Sequence, residues 1–224
     1  MKDPFEPQNN SYYNSCKNEM KKLMNNRKLC NAEAIIEYLK TKKAYYRWDL
    51  FCWLWRNYSF SNKELCRLFK FSWIHSAPDV RAVEVLAYLD ASLLMDKSEL
   101  KFLNGLPDTI KVYKVVSSDC MVMEDEDEWD PGFDWKWSMD LEKMAYISRC
   151  MKENYIVIST TIPKTDVLAF FQGVNFSYEL IAKANAGRFE EYTIEIIDAD
   201  AYLQQHPYYH DSITEESTYR STGF

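Results

Sequence analysis

The hydrophobic period of the chain changes once, at Leu106, and that single change limits the fold more than anything else in the sequence. From Ser11 to about Leu100 apolar residues recur at the spacing of helix faces; beyond Leu106 they come in short β-branched runs. A chain that passes from helices to strands, rather than alternating them, predicts an α+β fold and not a parallel sheet of βαβ units. The helical segments carry their own punctuation. "CKNEMKKLMNNRKL" sets Met20, Leu23 and Met24 on one face. "NAEAIIEYLKTKK" opens on Asn31 as N-cap, with Glu33 and Glu37 early and Lys40 to Lys43 late, as the helix dipole prefers. "YYRWDLFCWLWRNY" is nearly continuous in apolar and aromatic residues, so it predicts a central helix buried on more than one side. In "SFSNKELCRLFKF" Ser61 precedes Glu64 at capping-box spacing. "SAPDVRAVEVLAYLDASLLM" and "DKSELKFLNGL" add two helical segments, with Pro78 near a start and Gly105 at an end.

After Leu106, "DTIKVYKVV", "NYIVISTTI" and "EEYTIEIID" predict strands. In the last, Tyr192, Ile194 and Ile196 form the expected core face, and Glu191, Thr193 and Glu195 the polar one. One helix is expected between them, from about Asp140 to Lys152, and "KTDVLAFF" reads as a turn and short helix. "HPYYHDSITEESTYRSTGF" reads as a loosely held polar tail. The expected organisation is therefore a helical region over 1–105, a strand-bearing domain over 106–200 and a C-terminal tail over 201–224.

With 224 residues, 47% of them hydrophobic, the chain can bury one large core or two modest ones. Apolar stretches such as Leu50 to Trp55 and Ile156 to Ile158 are too short to cross a bilayer, and "MKDPFEPQNN" has no hydrophobic core for a signal peptide, so a cytoplasmic protein without a membrane partner is expected. Six cysteines, none in a CxxC pair, suit buried thiols in a reducing compartment and encode no zinc site. Pro207 between His206 and His210 breaks any shared helical face, and no metal is expected. Only 5 glycines are present and no Gly-rich phosphate loop, against dinucleotide recognition of the Rossmann kind.

The net charge of −7 is divided unevenly: Met1 to Lys70 holds 14 Lys and Arg against 7 Asp and Glu, the remainder 13 against 27. The basic half suits nucleic acid or an acidic partner, and equally a solvated helical surface, because its charges are spread along helices. "EDEDEWD", Glu124 to Asp130, concentrates six carboxylates in seven residues. It reads as a solvated loop, a mimic of nucleic-acid phosphate, or a rim that repels phosphates.

In order, "LPDTIKVYKVV", "GFDWKWSMDLEKMAYIS", "IVISTTIPKTDVLAFFQ" and "GRFEEYTIEI" resemble a family of small phage and mobile-element proteins that look like ADP-ribosyltransferases. The resemblance covers Leu106 to Ile197, about two fifths of the chain, and the tryptophan-rich "WDLFCWLWRNYSF" is similar to the helical segment that often precedes the domain in that family. It implies an N-terminal helical region followed by an ADP-ribosyltransferase-like split β-sandwich, with NAD as cofactor. Breaking the bond between nicotinamide and ribose passes through an oxocarbenium-like state. The site therefore needs a cation on the dinucleotide, hydroxyls on the ribose and a glutamate to stabilise positive charge.

The family's Tyr-Arg-Gly strand end, Ser-Trp-Thr motif and Arg-x-Glu-x-Glu strand map onto this chain with substitutions. Lys114 takes the arginine position and Val115 the glycine; Lys136, Trp137 and Ser138 take the hydroxyl motif; Arg188 and Glu190 match the last motif, with Tyr192 at the catalytic place. A slip of one residue makes Glu191 the candidate acid, and Glu195 is a weaker one. Two readings stand for each position. Lys114 grips the cofactor or is a strand-end surface charge. Trp137 and Ser138 line a cleft, or Trp137 is buried beside Ser138 as the N-cap of the helix beginning near Asp140. Glu191 is catalytic or part of a solvated face. Two functions follow: a mono-ADP-ribosyltransferase that modifies a host protein or nucleic acid, or a catalytically degenerate relative that binds a host protein, such as a phage-encoded inhibitor of a host defence factor.

Overall fold

The structure, a computed structural model, describes residues 7, 10–76, 78–79, 81–118, 136–151, 154–172, 178–182 and 194–206. The chain forms two compact units, the first running to Leu94 and the second beginning at Met95.

The first unit is helical: α1 (Ser11–Asn25), α2 (Ala32–Lys40), α3 (Ala44–Asn57), α4 (Asn62–Ile74), the short α5 (Arg81–Leu86) and a 3-10 turn, Ala91–Leu93. Its caps are those the sequence spells. Asn31 accepts from the Ala34 N–H, and Ser61 with Glu64 closes a reciprocal capping box. The aromatic run becomes α3, whose Trp48, Leu50, Phe51, Cys52 and Leu54 are all at most 1% exposed. Each such large apolar side chain contributes about 1.5–3 kcal/mol by leaving water. Trp48 and Phe51 meet Phe69 of α4 edge to face, at centroid distances of 5.9 and 6.1 Å. Polar ties complete the packing. Arg47 donates to the carbonyls of Leu39, Lys40 and Lys42 at and just beyond the end of α2, where the regular helical ladder stops. Arg81, 3% exposed, is held by Asp49 and Asp79, and Asp79 also accepts from the Trp48 indole N–H.

The second unit is a six-stranded antiparallel sheet with helices. The strands are β1 (Thr109–Ser117), β2 (Lys136–Ser138), β3 (Tyr155–Pro163), β4 (Val167–Gln172), β5 (Tyr178–Ala182) and β6 (Glu195–Ile197), in the order β4-β5-β2-β1-β3-β6. The helices are α6 (Lys97–Gly105), α7 (Leu141–Cys150) and α8 (Ala199–Gln205). One face of the sheet carries Ile110, Val112, Val116, Trp137, Ile158, Ile162, Phe170 and Leu180, packed with Leu103 of α6. The other carries Tyr113, Val115, Val157 and Ile197, packed with Met144 and Ile147 of α7. The sheet is unevenly joined. Nine residue pairs connect β1 to β3, whereas β1 meets β2 at Tyr113↔Ser138 alone.

Compactness divides the chain eleven residues before the period changes, because α6 packs on the sheet it precedes. Lys164 reinforces this: its Nζ donates to the Leu106 carbonyl at 2.6 Å and its N–H to the Asp108 carbonyl at 2.7 Å. The two fragments "LPD" and "KTD" thus meet at the exit of α6.

Several expectations are corrected. "KTDVLAFF" is a 3-10 turn, Lys164–Asp166, followed by a strand, β4, because Ala169, Phe170 and Phe171 are buried on both faces and leave no alternation to read. The N-cap of α7 is Asp140, which accepts from the Lys143 N–H, and not Ser138, whose hydroxyl accepts from the Asp140 N–H one turn earlier. Ile196 is 64% exposed rather than core; on this three-residue edge strand Ile197 packs inward instead. Cys16, Cys52 and Cys66 are buried, but Cys30 and Cys150 are exposed.

Candidate functional site

Lys114, Trp137 and Ser138 come together where β1 meets β2. Lys114 lies inside β1 and not at its end, half-buried and opposite Ile158. Its Nζ stands 5.7 Å from the centroid of the Trp137 ring. That separation is within reach of a cation–π attraction worth about 0.5–2 kcal/mol. Trp137 is itself 2% exposed, and the ring forms part of the core on the α6 side of the sheet. Ser138, 4% exposed, points to the opposite face, since consecutive strand residues alternate sides. The lysine–tryptophan pair and the serine hydroxyl are thus separated by the sheet itself.

On the Ser138 face a row of directly opposed residues crosses the whole sheet: Glu195, Ser159, Tyr113, Ser138, Glu179 and Phe171. Neighbouring strands lie about 4.8 Å apart, so Glu195 stands roughly 14 Å from Ser138 across three strand spacings, while Glu179 is the adjacent residue. Glu195 is moreover committed elsewhere. It accepts from Lys111 at 2.9 Å and from Ser159 at 3.3 Å, and the Lys111 hydrogen bond and charge hold its carboxyl below the usual range. Glu195 is therefore not positioned to act with Ser138.

Glu179 has a side chain 11% exposed and faces Lys136, with Nζ and Oε2 3.8 Å apart. Lys143 of α7, 8% exposed, is in the field of the same group: burial pushes its amine down, Glu179 pulls it back up, Lys136 lowers it again and Asp140 raises it. The position expected from the sequence to carry a ribose-binding hydroxyl thus holds a cation whose ammonium stands 3.8 Å from a carboxylate of the neighbouring strand. Sequence reasoning missed Glu179 and Lys143. A lysine on the same helical stripe as Met144 and Ile147 was the available signal for the second; Glu179 has none short of knowing the β2–β5 register.

Arg188 and Glu191 lie outside the described residues, as does the acidic run Glu124 to Asp130. Among the described residues no group of three His, Cys, Asp or Glu side chains is arranged to hold a metal ion, and no helix is long and apolar enough to cross a membrane. His206, at the end of α8, has its Nδ1 2.9 Å from the Tyr202 carbonyl. Comparison with protein-family models, with curated proteins and with solved structures finds no match to the chain.

Proposed function

We propose that the second unit is an ADP-ribosyltransferase-like scaffold, split at the β1–β2 junction, that serves as a catalytically degenerate binding protein for a host protein such as a defence factor. The observation that carries this reading is the internal closure of the junction. Lys136 replaces a hydroxyl and pairs with Glu179, while Trp137 and Ser138 are buried. A dinucleotide needs exposed donors, and a cation already facing a carboxylate must be separated from it before it can grip a phosphate. The single residue pair between β1 and β2 supports the split-sandwich part of the proposal, since the sheet there has almost no ladder to hold its two halves in one plane.

A second reading, mono-ADP-ribosyl transfer from NAD to a host macromolecule, is favoured by one observation: Lys114 stands in the middle of β1, beside the junction and over an aromatic ring. In that reading Lys114 binds the dinucleotide phosphates, Trp137 and Ser138 shape the nicotinamide site, and Arg188 and Glu191 supply the remaining cation and the acid. NAD would supply the scissile glycosidic bond and the transferred group. The two readings part in host lysate with labelled NAD. Degeneracy predicts no target labelling, together with a stoichiometric partner retained by both wild type and Glu191→Ala in a tagged pull-down. Labelling that is lost in Glu191→Ala and in Lys114→Ala establishes the transferase instead.

A further inference from the structure

A corner of the helical unit interleaves tyrosine rings with lysine ammonium groups. Tyr12 of α1 stacks on Tyr46 of α3 at 5.4 Å between centroids, and Tyr45 meets Tyr46 at 4.2 Å. Lys43, the N-cap of α3, places its Nζ 4.9 Å from the Tyr12 ring and 5.9 Å from the Tyr45 ring. Lys17 stands 5.1 Å over Tyr13, itself 6.0 Å from Tyr46. Tyr13 and Tyr46 are buried and anchor the group, whereas Tyr45 is 56% exposed and Lys43 is exposed.

Among the described residues of this corner Lys43 contributes a positive charge. Among the described residues no carboxylate pairs with Lys43. Glu19, the only carboxylate on α1, is occupied: it accepts from Lys42 at 2.8 Å and from Tyr38 at 2.9 Å, and these bonds hold its carboxyl below the usual range. The same helix carries Lys17, Lys21 and Lys22. An exposed leucine or valine at the corner would suit an apolar partner; planar rings with cations held beside their faces suit something planar and anionic at once.

We propose that this corner binds single-stranded nucleic acid, with a base stacked on Tyr45 and the adjoining phosphate neutralised by Lys43. Stacking on an aromatic ring tolerates any base, and a lysine at the flank follows the backbone, so the recognition is independent of sequence. An unpaired strand is required, because the bases of a duplex already use their faces on each other. This activity belongs to the helical unit and does not depend on how the sheet unit is used.

The test is fluorescence anisotropy with the full chain and a fluorescein-labelled single-stranded oligothymidylate, titrated at several salt concentrations. Wild type binds, with affinity falling as salt rises. Lys43→Ala weakens binding about tenfold at low salt and flattens the salt dependence by roughly one released ion, as loss of one phosphate contact requires. Tyr45→Ala also weakens binding about tenfold but leaves the salt slope unchanged, and Tyr45→Phe restores it because the ring remains. Tyr45 is mostly solvent-exposed, so these variants keep the fold, which circular dichroism verifies. Failure of wild type to bind at low salt overturns the proposal. So does equal affinity for the corresponding duplex or for polyglutamate, or binding indifferent to Tyr45→Ala.

Discussion

Replacing Arg81 by methionine should be among the most damaging single changes in the helical unit. The guanidinium is 3% exposed and its contacts are short: Nη2 to Asp79 Oδ2 at 2.6 Å, and Nε to the two Asp79 oxygens at 2.9 and 3.0 Å, with Asp49 on the same Nη2. Removing the cation takes its ion pairs from Asp49, 13% exposed, and from Asp79, 34% exposed, and disturbs the acceptor of the Trp48 indole. Breaking a buried ion pair from one side costs about 3–5 kcal/mol. Because Asp79 keeps a third of its surface in water and recovers part of its hydration, the expected loss is at the lower end, about 3 kcal/mol. The exposed pair Lys40–Glu37, 53% and 69% exposed, gives the contrast: Lys40→Ala should change stability by less than about 0.5 kcal/mol. Urea denaturation followed by tryptophan emission measures both. Acid adds a second signature. Burial pushes the Asp79 carboxyl up, but hydrogen bonds and charge from Arg81 hold it below the usual carboxylate range. A depressed folded value means stability that is complete above the unfolded value and lost as pH falls through the folded one. The gap between wild type and Arg81→Met should therefore narrow below about pH 4. A loss under about 1 kcal/mol, or a gap that widens in acid, would refute the reasoning.

Three further outcomes are expected. Thr160 is 3% exposed and, among the described residues, its hydroxyl has no partner on the apolar side of the sheet, so Thr160→Val should be neutral to about 1 kcal/mol stabilising, read from the same denaturation curves. Lys143→Met should be neutral to about 2 kcal/mol stabilising, since Glu179 retains Lys136 when the buried amine is removed. Burial lowers the folded value of that amine, so the native state gives up its proton before the unfolded chain does; the cost of the charge is full below the folded value, and the advantage of methionine should shrink as pH rises toward the ordinary lysine range. Native-state hydrogen exchange should show amides shared by β1 and β3 exchanging far more slowly than the Trp137 amide in the three-residue β2.

The helical unit was legible because its signals are local. Asn31, Ser61 and Glu64 announce caps within four residues, and the aromatic run of α3 can only be central. The sheet was legible where one face is apolar and the other is not. It was misread where burial is two-sided, as in β4, and where an edge strand is too short for its pattern to count, as in β6, whose Ile196 faces water. The candidate site was legible only in part. Trp137 is buried, as one of its two readings has it, but a cleft shared with Ser138 does not follow from adjacency, because neighbouring residues of a strand point to opposite faces. The pairing that closes the junction, Lys136 with Glu179, joins residues 43 positions apart and follows only from the β2–β5 register.

The closed junction is tested most directly by titrating NAD into the purified chain while following tryptophan emission. An internally paired Lys136 and buried Trp137 and Ser138 predict no saturable change up to about millimolar NAD, a binding free energy weaker than roughly 4 kcal/mol. A saturable quench at micromolar NAD, weakened about tenfold or more in Lys114→Ala, would contradict degeneracy and establish the junction as a dinucleotide site.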